Sequence, residues 1–289
     1  MKILLLGIFF VCLNTFTGSS FDAITKYLSI NNYKWYHYYS IGGTAAIILF
    51  ILLFFTNGEI KKHLTLKNKN HFYFLILRGI SFIPVLLIVF YSLKYIPISL
   101  FATLIMTSPF FLLIFAKIIL KEKLNYISWV AILIGFCGVL IVLRPSLSNI
   151  NIFIFLVFFA VLIISFNFTI VSKYSHIATS YGFTFYQYLP ITLFAYIFFI
   201  FDPLVPSLKE FILFSSAGVL MMISMWAWNK AYHIAGKYSS IISPFFFTQI
   251  IWGSLYGIIF FSEELSLISI IGVIVIVISG TIAIYNRNK

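Results

Sequence analysis

The sequence predicts an all-α integral membrane protein of ten transmembrane helices in two inverted five-helix repeats. Hydrophobic residues make up 62% of the chain and charged residues 9%, against roughly 45–50% and about 25% in an ordinary soluble domain. Apolar stretches of about 17–24 residues fill almost the whole length, each able to cross a hydrocarbon core about 30 Å thick at about 1.5 Å rise per residue. The stretches form two sets of five that echo one another. Because five is odd, the second set must enter the membrane with the opposite orientation.

The first span is placed at Ile3–Ser20. Lys2 and the small residues Gly18, Ser19 and Ser20 imitate a secretory signal peptide, but the segment has a counterpart in the second half, which a disposable leader would lack. Spans two to five follow at Tyr33–Thr56, Phe72–Ser92, Ile98–Lys117 and Tyr126–Leu143, with a solvated Lys- and His-rich loop from Asn57 to His71. Span five ends at Arg144-Pro145-Ser146-Leu147-Ser148-Asn149, where proline and polar residues cannot continue a membrane helix. This join divides the chain into repeats 1–145 and 146–289. The second repeat supplies Ile152–Ser172, Gly182–Phe201, Phe211–Lys230, Tyr238–Phe261 and Leu265–Ile284. Spans five and ten, nearly devoid of polar residues, are expected at the periphery.

Five pairs of echoes carry the repeat. Lys26-Tyr27 recurs as Lys173-Tyr174, Tyr36-His37-Tyr38-Tyr39 as Phe185-Tyr186-Gln187-Tyr188, and Arg78-Gly79 as Ala217-Gly218. Thr107-Ser108 recurs as Thr248-Gln249, and Leu120-Lys121-Glu122-Lys123-Leu124 as Phe261-Ser262-Glu263-Glu264-Leu265. Each is weak alone, and their common order is the signal. The symmetric acids Glu122, Glu263 and Glu264 suit helix turns.

A net charge of +12 raises the question of nucleic acid, but the basic residues sort by membrane side instead of forming a patch. With the N-terminus inside, Lys2, Lys61, Lys62, Lys67, Lys69, Lys117, Lys121, Lys123, Lys173, Lys230, Lys237, Arg287 and Lys289 fall inside, with Arg78 in the adjacent span, against Lys26, Lys34, Lys94, Arg144 and Lys209 outside. Lys and Arg resist translocation, so both termini are expected in the cytoplasm, with the protein in the inner (plasma) membrane of a bacterium. Cys12 and Cys137 lie in separate spans with neither disulfide nor metal-ligand spacing. No cofactor, metal or nucleic acid is expected.

Phe90-Tyr91-Ser92-Leu93-Lys94-Tyr95-Ile96-Pro97, Thr107-Ser108-Pro109-Phe110, Leu120-Lys121-Glu122-Lys123-Leu124, Gly135, Gly138 and Leu143-Arg144-Pro145 together resemble the first repeat of the EamA family of the drug/metabolite transporter superfamily. Asp22-Ala23-Ile24-Thr25-Lys26-Tyr27-Leu28 is similar to an early motif of a branch that includes transporters of riboflavin and S-adenosylmethionine. The resemblance covers essentially the whole chain. It implies a secondary transporter, permease or exporter, moving a small organic metabolite by alternating access. One departure is that many relatives have an arginine in the second span, where this chain offers Tyr38, Tyr39 or Ser40.

Polar side chains within spans must face a cavity or another helix. On that ground Asn14, Ser81, Thr107, Ser108, Asn167, Trp226, Asn229 and Gln249 are the candidate solute-binding residues. Asn14 shares a helical face with Thr17, Gly18 and Thr25, where interhelical bonding is as good an account as solute contact. Trp226 and Asn229 share one with Lys230 and His233, which also suits interfacial anchoring. Gln249 is an amide near mid-span, and Pro109 beside Thr107 and Ser108 frees a helical carbonyl. Trp228 points elsewhere and can meet lipid. Gly253 and Gly257 have the spacing of a close helix contact. The tyrosine-rich clusters at 36–39 and 185–188 read as aromatic belt. Asn167-Phe168-Thr169 fits a glycosylation pattern that its place in a span overrides.

Amides, hydroxyls and aromatics without a buried ion partner favour an uncharged or zwitterionic solute. No catalytic motif is present, so an enzyme is not expected. The alternative is a membrane-embedded assembly or receptor protein on the same scaffold, for which polar faces would be dispersed among helix contacts instead of converging. The partners expected are a small metabolite and lipid, with a homodimer left open.

Overall fold

The computed structural model describes residues 2–56, 59–64, 66, 68–92, 95, 98–143, 151–261 and 267–285. The join at Arg144–Asn149, the turn holding Glu263 and Glu264, and the C-terminal Arg287 and Lys289 lie outside the described residues. Among the described residues all regular structure is helical. The first half contains α1 (Lys2–Ile30), α2 (Trp35–Thr56), the short α3 (Ile60–Leu64), α4 (Lys69–Ile80), α5 (Phe82–Ser92), α6 (Ile98–Ile105), α7 (Ser108–Ile119) and α8 (Tyr126–Leu143). The second contains α9 (Ile152–Lys173), α10 (Ser180–Phe201), α11 (Leu208–Ala235), α12 (Ser239–Ile242), α13 (Thr248–Phe261) and α14 (Leu267–Tyr285).

Eight described stretches are long and apolar enough to cross a membrane. The last, Leu208–Phe260, is 53 residues long and contains α11, α12 and α13, while Ile270–Ile282 of α14 is a shorter apolar helix. The breaks within spans have local causes. Pro84 cannot donate to the carbonyl of Ile80, and α4 gives way to α5 at Ser81. Pro109 sits in the first turn of α7, and Pro244 in the first turn of the 3-10 segment Ser243–Phe247 that joins α12 to α13.

The principal packing pairs are α1 with α11 and α13, α2 with α11 and α10, α9 with α5 and α7, α10 with α4, and α8 with α14. Large apolar side chains such as Phe9, Leu53, Phe155, Ile197, Ile259 and Ile274 remain exposed, as a lipid-facing surface requires. Among the crossings that depend on glycine, two concern the halves' central spans. A Cβ on Gly218 would stand 2.0 Å from the main-chain oxygen of Gly42, and one on Gly79 would stand 2.4 Å from that of Tyr186. These are the α11–α2 and α4–α10 crossings, and Gly79 and Gly218 are the glycines that the sequence echoes pair. At Gly253, by contrast, a Cβ would meet nothing within 4 Å, so the expected close helix contact is not made there.

Trp228 also corrects its expectation. It is buried in the core, with ring centroids 4.3 Å from Phe168, 5.3 Å from Tyr232 and 4.9 Å from Phe246. Glu122, in the turn between α7 and α8, accepts hydrogen bonds from the main-chain N–H of Ser240 at 3.2 Å and from its hydroxyl. The turn acid thereby ties the first half to α12 of the second, and burial raises its carboxyl above the usual range.

Candidate functional site

Among the described residues the most buried charge lies on α4. Arg78 is 4% exposed, and among the described residues it forms no ion pair. Placing an arginine at the centre of a membrane helix costs about 2.5–3.5 kcal/mol even on the mildest scale, so its partners are informative. Its Nη2 donates to Asn229 Oδ1 at 3.0 Å, its Nε to the main-chain oxygen of Asn167 at 3.4 Å, and its Nη1 to that of Phe183 at 3.4 Å. The guanidinium also lies 5.4 Å from the Phe183 ring centroid and 5.8 Å from that of Phe82. One side chain therefore joins α4, α9, α10 and α11.

Around it the polar groups bond one another across helices. Asn229 Nδ2 donates to Thr184 Oγ1 at 3.0 Å and to Gln187 Oε1 at 3.2 Å. Asn167 Nδ2 donates to Ser81 Oγ at 3.1 Å and to the carbonyl of Ile163 at 2.9 Å. Beside this cluster, between α2, α10 and α11, is a cavity of about 380 Å³ lined by Phe50, Phe54, Tyr181, Thr184, Met222 and Trp226 among others. Trp226 stacks on Tyr181 with centroids 5.3 Å apart, and its indole N–H has no partner. Thr184 is the link, since it lines the cavity and accepts from Asn229.

Of the eight candidate residues, Ser81, Asn167 and Asn229 gather at Arg78, and Trp226 forms cavity wall. The other four lie apart. Asn14 donates to the Ser224 hydroxyl at 2.8 Å and the Ser224 carbonyl at 2.9 Å, across the α1–α11 contact. Gln249 donates to Asp22 Oδ2 at 3.2 Å while its main-chain oxygen accepts from Ser19, on the α1–α13 contact. Thr107 bonds back to the carbonyl of Leu104 at 2.6 Å, and the buried Ser108 hydroxyl has no partner. Of their neighbours, His233 bonds the carbonyl of Ser175 through Nε2 at 2.9 Å, on the α11–α9 side.

Sequence reasoning missed Arg78, Thr184 and Gln187. Arg78 was counted as a topological charge, although its place well inside an apolar run was the signal that it is buried. Gln187 was absorbed into the aromatic belt, yet it is 0% exposed. The buried guanidinium also overturns the premise of a site without a buried ion.

These features define a polytopic membrane protein with a charged polar cluster beside an aromatic cavity. Residues 5–144 match the EamA-like transporter family. A protein named riboflavin transporter from Vibrio cholerae serotype O1 is 32% identical over 151 residues. That match covers 52% of this chain and 50% of the relative, so the chain spans about half the length of the curated relative it matches. A solved crystal structure superimposes with a TM-score of 0.77 over 98% of this chain and 96% of its own, at 14% identity, a likeness of fold alone.

Proposed function

We propose that this protein is a secondary transporter that moves a small organic metabolite by alternating access, with ten spans in two inverted repeats, 1–145 and 146–289. It sits in the inner (plasma) membrane of a bacterium with both termini in the cytoplasm. The observation that carries the reading is convergence. Arg78, Asn229, Gln187, Thr184, Asn167 and Ser81 come from four packed segments to one cluster beside one cavity, as a solute site requires and as dispersed scaffold contacts do not.

The packing supports the repeat. If each span is exchanged with its counterpart in the other half, α1 on α11 becomes α9 on α5, α1 on α13 becomes α9 on α7, and α2 on α11 becomes α10 on α4. The pairs α2–α10 and α8–α14 exchange with themselves. Such a relation lets one bundle rock against the other around a site between them. The relative named riboflavin transporter, together with the stacked Trp226 and Tyr181, favours a solute with a flat aromatic body.

Reconstituted protein in liposomes should show saturable uptake of radiolabelled riboflavin or of another flat heteroaromatic metabolite, competed by excess unlabelled solute. Empty liposomes give the baseline. If a panel of such metabolites moves no faster than through empty liposomes, while the protein is folded and oriented, the assembly or receptor alternative replaces transport.

A further inference from the structure

Hydrogen-bond direction in the cluster is set by the one member that can only donate. A guanidinium has five N–H groups and no acceptor, so Asn229 must turn its oxygen to Arg78, at 3.0 Å. Its amide nitrogen then faces Thr184 and Gln187, and Gln187 must answer with its own oxygen. The Gln187 Nε2 is left buried without a partner.

Arg78 meanwhile engages three acceptors, two of them at 3.4 Å. Two N–H groups on Arg78 and two on Gln187 are thus unmatched, together with one uncompensated positive charge. All of them flank the single amide of Asn229, and Arg78 and Gln187 are 4% and 0% exposed. Another neutral acceptor would take up a donor but leave the charge. An oxyanion answers both, because a carboxylate or phosphate accepts from several N–H groups and neutralises a guanidinium.

We infer that Arg78 and the Gln187 amide form an oxyanion subsite, which holds a carboxylate or phosphate borne by the solute while the solute's aromatic body occupies the cavity walled by Trp226 and Tyr181. The inference rests on the transport reading and deepens it. It narrows the uncharged or zwitterionic solute expected from sequence to one that carries an anionic group, a zwitterion included. Arg78 would be the specificity-determining residue, and Thr184 marks where the apolar and charged parts of the ligand meet.

The test uses full-length protein purified in detergent, with melting temperature followed at constant ionic strength in sodium chloride, sodium acetate, sodium phosphate and sodium phenylacetate. Acetate or phosphate should raise the melting temperature of the wild type saturably above the chloride value. The rise should vanish in Arg78→Gln and shrink in Gln187→Met. No rise in the wild type, an equal rise in chloride, or a rise retained by Arg78→Gln would overturn the subsite. If Arg78→Gln does not fold, Gln187→Met decides, and an undiminished rise there counts against the proposal.

Phenylacetate asks whether anion and aromatic body are one ligand. It should half-saturate at a concentration about tenfold or more below acetate, and Trp226→Ala should remove that advantage while leaving the acetate response. Equal responses to acetate and phenylacetate would mean that a free anion fills the site, overturning a solute-borne group. Anion responses that persist in a protein without transport would sink the transport reading and leave the subsite standing, so the two failures are distinguishable.

Discussion

Two contacts in this molecule have the same construction, and comparing them separates what holds the helices from what the proposed site adds. Where α1 meets α11, Asn14 donates to the hydroxyl of Ser224 at 2.8 Å. Where α9 meets the α4–α5 break, Asn167 donates to the hydroxyl of Ser81 at 3.1 Å. Nearby, Gly218 and Gly79 let their helices cross α2 and α10 at backbone distance. The residue before each glycine differs, Ala217 in one half and Arg78 in the other. The shared parts are neutral and satisfied, as expected of parts that bind helix to helix. The unshared part is a buried cation, where the other half has alanine. The chemistry found in both halves joins helix to helix, and the cation found in one half only is what the proposed site adds to it.

The largest effects should come from breaking the shared parts. Gly218→Val and Gly79→Val each force side-chain atoms into main-chain oxygens 2.0 and 2.4 Å from the new Cβ. Overpacking of this kind costs about 1–3 kcal/mol, and more where backbone must move. Both variants should lose most folded protein in size-exclusion profiles and melting curves. A normal melting temperature for either would break the equivalence of the two crossings.

Next should come Asn229→Ala, set against Ser224→Ala on the same helix. The first strands the Arg78 guanidinium and the Gln187 oxygen, with a cost of about 2–3 kcal/mol for losing a bond to a buried charge. The second leaves Asn14 its bond to the carbonyl of residue 224 and should cost about 1 kcal/mol or less. Chemical or thermal unfolding in one detergent ranks the two, and a larger loss in Ser224→Ala would put the energetic centre on the wrong seam.

Smaller and nearly equal losses, about 0.5–2 kcal/mol each, are expected for Asn14→Ala and Asn167→Ala. Asn14→Ala should transport normally per folded molecule, because the geometry occupies its amide with Ser224. Unchanged stability with transport abolished would instead restore Asn14 to the solute pathway.

The comparison also explains what was legible in the sequence. Composition and span length are enough for the helical membrane class, and the alignment of Arg78-Gly79 with Ala217-Gly218 already contained both the shared glycine and the unshared arginine. What one chain could not show was direction around a helix bundle. Asn14 and Asn229 look alike as amides in apolar spans, yet one meets a serine and the other a guanidinium from a helix far away in sequence. Gln187 was hidden because a glutamine among tyrosines reads as interfacial until the neighbouring helices bury it. Trp228 failed for the same reason, since its face meets Phe168 and Phe246 instead of lipid.

The smallest effect is expected at the ends of the α2–α10 pair, which packs side by side along its length. At one end His63 Nδ1 lies 2.9 Å from the Thr179 hydroxyl and the His63 ring 4.5 Å from the Phe54 ring, with the imidazole buried. At the other, Asp202 accepts from Lys34 at 2.7 Å and from the Tyr36 hydroxyl at 2.6 Å, in the open. The Lys34 hydrogen bond first, and then that of Tyr36, hold the Asp202 carboxyl below its usual range. A carboxyl whose pKa is lower in the folded state stabilises fully above its unfolded value of about 3.9, and loses that contribution as pH falls through the lowered one. The melting temperatures of wild type and Asp202→Asn should therefore differ slightly at pH 6 and converge toward pH 3, with the gap at pH 6 narrowing in high salt because the pair is exposed. A gap that widens on acidification would reverse the sign, and would mean that the Lys34–Asp202 pair does not hold this end of the helix pair together.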